Sequence, residues 1–234
     1  MNRASLPFFS LIIISIVAFD CLAQDSADDD DFQVWSETTV VIPLKQSKIN
    51  EQLTDSVSLF ILGTLRLGQN RLYPVDRRLG FGFDLRLSRK VTLTPSYYFR
   101  LGEPIRNSKE TEQRFRLDVS TGWKPAPVEL RYRGRVEYRL RHANRDSVRL
   151  RNKLTARYPI RIDRKEVVTP FVANEVFFEA RDARFSSNEF SVGISKHVNR
   201  SFSFELLYLN RRNRSGHIRN INGIGINLKF RLSR

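Results

Sequence analysis

The chain is poor in the residues that most catalytic and metal chemistry requires. Among its 234 residues stand one cysteine, Cys21, three histidines, one methionine and two tryptophans. A lone cysteine excludes an intrachain disulfide and a cysteine-built metal site. His142, His197 and His217 are scattered and form no His-x-x-x-His pair, and no glycine-rich phosphate loop occurs. After residue 19 no segment approaches the roughly 20 uninterrupted apolar residues of a helical membrane span. A spacing of 3.6 residues finds no sustained support either. Helical membrane spans are therefore excluded, and only a closed barrel could cross a bilayer.

What is present begins with an export signal. Met1, Asn2 and Arg3 make a short positive start, and Leu6 to Phe19 is mostly apolar. Cys21 and Ala23 are the small residues a signal peptidase reads, which places cleavage after Ala23 and assigns residues 1–23 to the signal. The apolar run is short for an anchor, and Asp20 is too large and charged to precede a lipidated cysteine. Cleavage removes the only cysteine. Residues 24–31 form an acidic leader, Asp25 and Asp28 to Asp31 among them. Calcium ligation by these carboxylates is conceivable, but a solvated leader is the expectation. The remaining 32–234 form one domain, long enough to build a sizeable core without staples.

The net charge is +15 and the isoelectric point about 10.5. Such a balance ordinarily suggests nucleic acid. Export redirects it to the polyanions outside the inner membrane, namely lipid phosphates and surface polysaccharides, and no nucleic-acid partner is expected.

From Phe32 onward the period is two. Leu79, Phe81, Phe83 and Leu85 alternate with Arg78, Gly80, Gly82 and Asp84. Val128, Leu130, Tyr132, Gly134, Val136, Tyr138 and Leu140 alternate with Glu129, Arg131, Arg133, Arg135, Glu137, Arg139 and Arg141. Val148, Leu150 and Leu154 stand against Arg149, Arg151, Lys153 and Arg157. One apolar and one polar face per strand is the mark of a two-sided sheet. Segments of this kind lie near 32–42, 56–68, 76–87, 91–101, 112–123, 128–141, 147–161, 167–179, 188–197, 201–212 and 219–232. They run longer than the about 5–6 residues of a globular strand and suit a tilted membrane strand of about 9–11. Tight turns near 88–90, 124–127, 162–165 and 198–200 alternate with longer polar loops, the asymmetry of an outer-membrane barrel with short periplasmic turns. The expected fold is all-β: a single antiparallel up-and-down transmembrane β-barrel of 10–12 strands. Twelve is favoured, because bacterial barrels normally hold an even number and a strand between Pro43 and Asp55 would restore parity.

Arginine facing lipid at mid-membrane costs about 2–4 kcal/mol, so the charged face must line the lumen. The candidate network comprises Arg114, Arg116, Asp118, Glu129, Arg131, Arg133, Arg135, Glu137, Arg139, Arg149, Arg151, Lys153, Arg157 and Glu175. A turn that sets Trp123 against Val128 puts Arg114 opposite Glu137, Asp118 opposite Arg133 and Arg116 opposite Arg135, the last an unfavourable rung. Glu137 then faces Arg151 or Lys153 across the next loop, and Glu175 joins if it turns inward. Such a ladder fills and holds the barrel shut, favours anions in a narrow conduit, or meets a phosphate-bearing lipid or polysaccharide at the outer rim. Trp35, Phe99, Trp123, Tyr158 and Phe177 lie toward strand ends, where membrane-interface aromatics belong.

Catalysis finds little support. His142 shares a loop with Asn144, Asp146 and Ser147, a set that reads as ordinary turn residues. Catalytic sets are defined by geometry rather than by proximity in sequence. No catalytic, metal-binding or cofactor-binding residue is assigned, and no cofactor is expected.

Four stretches carry a family resemblance: Asp31 to Thr38, the arginine-rich hairpin from Arg133 to Leu154, Thr169 to Phe177, and the closing 223–232 strand. Together they resemble the bacterial family known as domain of unknown function 2490, over essentially the whole mature chain. The resemblance implies an outer-membrane barrel of about this size and brings no activity with it. The partners expected are outer-membrane lipids, lipopolysaccharide and the barrel-assembly machinery of a Gram-negative cell; the sequence does not give the oligomeric state, with a monomer slightly favoured. Two rivals remain: an outer-membrane lipid-modifying enzyme, and a soluble periplasmic lipocalin-like barrel with its arginine face outward.

Overall fold

The computed structural model describes residues 30–49, 52–70, 72–105, 108–142, 145–163, 165–214 and 218–232. The export signal, and the acidic leader apart from Asp30 and Asp31, lie outside the described residues. The strands are β1 (Asp30–Ile49), β2 (Gln52–Gly68), β3 (Tyr73–Arg86), β4 (Val91–Ile105), β5 (Ser108–Trp123), β6 (Glu129–Arg141), β7 (Ser147–Arg157), β8 (Ile160–Ile162), β9 (Lys165–Glu179), β10 (Arg184–His197), β11 (Phe202–Asn213) and β12 (Asn220–Arg231).

Eleven of them close a barrel, with β8 as an extra short strand paired only to β9. The favoured count of twelve barrel strands is therefore corrected to eleven. Residues 43–55 supply no separate strand; they lengthen β1 and β2 into one hairpin that runs from Pro43↔Ser58 to Ile49↔Gln52 through two register shifts. The segment expected as one strand over 147–161 divides at Pro159, which has no N–H to donate to a ladder. An odd ring has a further consequence. Every sequential pairing is antiparallel, so β12 meets β1 in parallel, from Asp30↔Asn220 to Val41↔Arg231. The up-and-down order thus holds everywhere except at this seam.

Pairing keeps the two faces apart around the whole wall. Away from the register shifts in β1–β2, β2–β3, β4–β5 and β9–β10, even-numbered residues point inward on β2 to β5, and odd-numbered ones on β1, β6, β7 and β9 to β12. The outer face is apolar and open, as at Leu79 with 64% exposure, and carries the ring series Phe81, Tyr97 and Phe115 at centroid distances of 5.9 and 5.2 Å. Tight turns gather at one end. Ser88 Oγ accepts from Lys90 and Val91 N–H, and Asn199 Oδ1 accepts from Ser201 and Phe202 N–H. The connections 69–72, 106–107, 142–146, 180–183 and 214–219, together with Asp30, occupy the other, loop end, and Arg231 lies at the tight-turn end. The strands run further than expected, as β4 to Ile105 and β5 from Ser108, so the two sets of connections are similar in length.

Inside, glycines make room at particular points. A Cβ at Gly80 would stand 2.3 Å from the Tyr98 ring, and one at Gly225 would stand 2.9 Å from Leu207. Tyr98 packs with Val41, Phe60 and Leu62 in a buried apolar cluster.

Candidate functional site

The turn between β5 and β6 decides which charges meet. Val128 N–H donates to Pro125 C=O at 2.8 Å, so Val128 belongs to the turn and Trp123 pairs with Leu130. The register is two residues away from the one read from sequence. A shift of two preserves the face and changes the partners. Arg116 now stands opposite Glu137, Asp118 opposite Arg135 and Arg114 opposite Arg139, so the Arg116–Arg135 rung is corrected away. Likewise Glu137 pairs in register with Arg149, not with Arg151 or Lys153, although Arg151 still reaches it diagonally at 3.7 Å.

The result is a continuous ion-pair core across β3 to β9. Glu137 is 0% exposed and lies 2.9 Å from Arg116 Nε and 3.5 Å from Arg114 Nη1. Glu175 turns inward and takes Arg133 and Arg151, each at 2.7 Å. Asp118 receives Arg135 through two hydrogen bonds of 2.7 Å, the two-pronged geometry that fixes a guanidinium most firmly. The like-charged Arg114–Arg139 rung is relieved by Glu112, which binds both. Arg149 and Arg139 share Glu179, and Arg157 reaches Glu205 on β11. Glu129 pairs with Lys124 at 3.0 Å near the turn. Sequence reading missed Asp76, Arg78 and Arg100, which extend the core into β3 and β4, and Glu112 on β5, which joins them to it. Their inward parity was the available signal; strands with fewer charges made it faint.

The aromatic residues divide. Phe99, Trp123 and Tyr158 lie on the outer face, between 39% and 45% exposed. Trp35 and Phe177 do not, and their placement at a membrane interface is corrected. Both are odd-numbered residues on strands whose odd residues point inward. Trp35 lies under the Arg66 guanidinium at 3.4 Å and donates from Nε1 to Gln33 at 2.7 Å. Phe177 is 1% exposed and takes Arg151 and Arg211 at 4.4 and 4.7 Å from its ring centre. A guanidinium over an aromatic face is a cation–π contact.

At the tight-turn end the interior opens. A cavity of about 880 Å³ is lined by Arg86, Arg131, Arg133, Lys153, Arg157 and Lys229, with Asp84 and Glu129 opposing them and Thr92, Thr94 and Ser120 between. The β1–β2 hairpin borders it through Gln46 and Asp55, and Asp55 also pairs with Arg231. Next to it along the strands stand the Asp118–Arg135 pair, Glu137, Glu175 and Phe177, none of which lines the cavity. The interior is thus a filled half and a hollow basic half. Converging cations and hydroxyls in a concave site suit anionic ligands.

The loop set around His142 is not assembled. Ser147 is buried on the inward face, and His142 is exposed. The Asp146 carboxylate accepts from Arg141 N–H and Tyr138 Oη. Asn144 and His217 lie outside the described residues, and among those described no group of three or more His, Cys, Asp and Glu residues could hold a metal ion.

Residues 32–222 match the family model described as protein of unknown function, DUF2490. No curated protein matches the chain. Three solved barrels are similar in shape. A NanC porin is 11% identical with a TM-score of 0.48, covering 86% of this chain and 99% of that one. LpxR from Salmonella typhimurium is 9% identical with a TM-score of 0.44, covering 76% and 83%. An anion-selective porin from Comamonas acidovorans is 10% identical with a TM-score of 0.36, covering 75% and 56%.

Proposed function

The chain belongs to the DUF2490 family of proteins of unknown function, and we propose that it is an exported, integral outer-membrane barrel whose interior is a blind basic vestibule for small anions. The carrying observation is the division of the interior: about 880 Å³ of basic cavity at one end, and Glu137, Glu175 and Phe177 sealed from solvent beyond it. The apolar exterior supports the membrane reading. Side chains such as Leu79, Phe81 and Leu117 would each leave costly apolar area in water, whereas a bilayer accepts them. A soluble lipocalin-like carrier requires the inverse, an apolar interior and a polar outside. The tight-turn end, and with it the mouth of the vestibule, faces the periplasm.

Two measurements test this. Fractionated membranes should show a band in the outer fraction that shifts on boiling; a soluble, unshifted band overturns the membrane assignment. Pyrophosphate should raise the unfolding temperature of the detergent-folded protein, and the Arg131→Ala/Lys153→Ala variant should lose that response. An unchanged unfolding temperature in the wild type removes the anion site, and large regular conductance steps in a planar bilayer remove its blindness.

A further inference from the structure

One feature of the outer face has no part in the interior. On β7 and β9 to β12, asparagines stand among the apolar residues. Two adjacent rungs carry them. The first runs Asn152, Val176, Asn188, Arg212, Asn220, and the second Leu154, Asn174, Phe190, Asn210, Asn222. The amides bond to one another. Asn174 and Asn188 exchange hydrogen bonds of 3.0 and 3.1 Å, and Asn210 Nδ2 donates to both Asn220 and Asn222 at 2.9 Å. Tyrosines cap the ladder: Tyr132 Oη donates to Asn152 at 2.6 Å, and Tyr208 Oη to Asn222 at 2.7 Å. Each amide has two N–H donors and a carbonyl with two lone pairs, so these bonds leave capacity to spare. In hydrocarbon that spare capacity would be costly.

The order along the strands shows what could use it. Toward the tight-turn end the same faces carry Val172, Ile194, Leu206, Ile224 and Ile226. The amides follow, and at the loop end come Arg212 within the ladder and exposed Arg214 just past β11. Apolar surface, neutral hydrogen-bonding groups and guanidinium thus succeed one another toward the loop end. Acyl chains, sugar hydroxyls and phosphates succeed one another in the same order in a phosphorylated glycolipid. We propose that the ladder seats such a glycolipid headgroup, lipopolysaccharide being its source in an outer leaflet. This rests on the membrane reading above. A second copy of the chain fits less well: two copies in one membrane stand parallel, which would set their arginine rims against each other.

The test uses the mature protein in nanodiscs of phosphatidylglycerol doped with a minor fraction of lipopolysaccharide, with the lipid retained through purification measured by mass spectrometry. The wild type should enrich lipopolysaccharide over phosphatidylglycerol, and Asn188→Leu/Asn210→Leu/Asn222→Leu should lower that enrichment by about tenfold, the worth of one to two hydrogen bonds. Arg212→Glu should lower it as well, and it decides the matter should the triple variant not fold. Heat-modifiable migration reports separately on the barrel. A heat-modifiable wild type without enrichment, or folded variants that enrich equally, overturn the headgroup site alone. Variants that lose only a crosslinked dimer assign the ladder to a second copy and overturn it too. A wild type that stays out of nanodiscs overturns the membrane reading first.

Discussion

The two walls of the barrel interior solve the same filling problem with different chemistry. From β3 to β9 the inward side chains are long and charged, and Glu112, Glu137 and Glu175 are buried among arginines. From β10 through β12 to β2 many are small or apolar, as Ser187, Ser191, Ser195, Gly193, Gly223, Leu209, Phe60 and Leu62 are, with Arg66, Glu205 and Arg211 among the charged exceptions. A long guanidinium arm reaches from the first wall, and the second recedes to receive it, as Arg157 does on Ser195 and Glu205. The charged wall owes its integrity to completeness, because a charge that loses its partner stays buried. The other wall owes its integrity to volume.

Removing one carboxylate should expose that difference most sharply. Glu137→Ala leaves Arg116 and Arg114 facing each other without their shared acid, and is expected to destabilise by about 3–5 kcal/mol. The temperature at which the compact gel band converts to the unfolded one should fall accordingly. On the other wall, Leu209→Ala empties a position that is 1% exposed and should cost about 2–4 kcal/mol as a cavity. Its loss should not change with ionic strength. Where the walls meet, Gly80→Ala would drive a methyl into the Tyr98 ring and the Tyr97 carbonyl. Overpacking of that kind costs about 1–3 kcal/mol, and the strain should loosen Arg116, which lies 3.8 Å over the same ring. At the surface, Lys124→Ala breaks a pair whose lysine is 78% exposed, and should cost at most about 1 kcal/mol in the same melting assay. A Glu137→Ala loss no larger than the Lys124→Ala loss would erase the distinction between the walls.

The charged wall was legible in the sequence because arginine at every second position leaves only one face to bury. Its partners were not, since register hangs on how many residues a turn consumes, and the turn after Trp123 takes Val128 as well. Trp35 and Phe177 misled for a related reason: an aromatic near a strand end reads as interfacial until parity is followed from a charged neighbour such as Glu175. The receding wall was hardly visible, because serine and glycine at alternate positions announce no face. Strand number was legible by direct reading, and the appeal to even parity displaced it. The vestibule emerges only from the joint inward ends of strands far apart in the chain.

The parallel seam carries a consequence in plain geometry. Around a ring, directions can alternate without defect only when the number of members is even; eleven forces one pair of neighbours to agree, and here that pair is β1 and β12. Asp30 and Arg231 therefore finish at opposite mouths, separated by the length of β12, about 40 Å at the usual rise of about 3.3 Å per residue. In an even barrel a two-residue turn could join first strand to last. Here a permuted chain joining Arg231 to Asp30 would need a linker as long as the wall is high, and probes attached at those two residues would report from opposite mouths of the barrel.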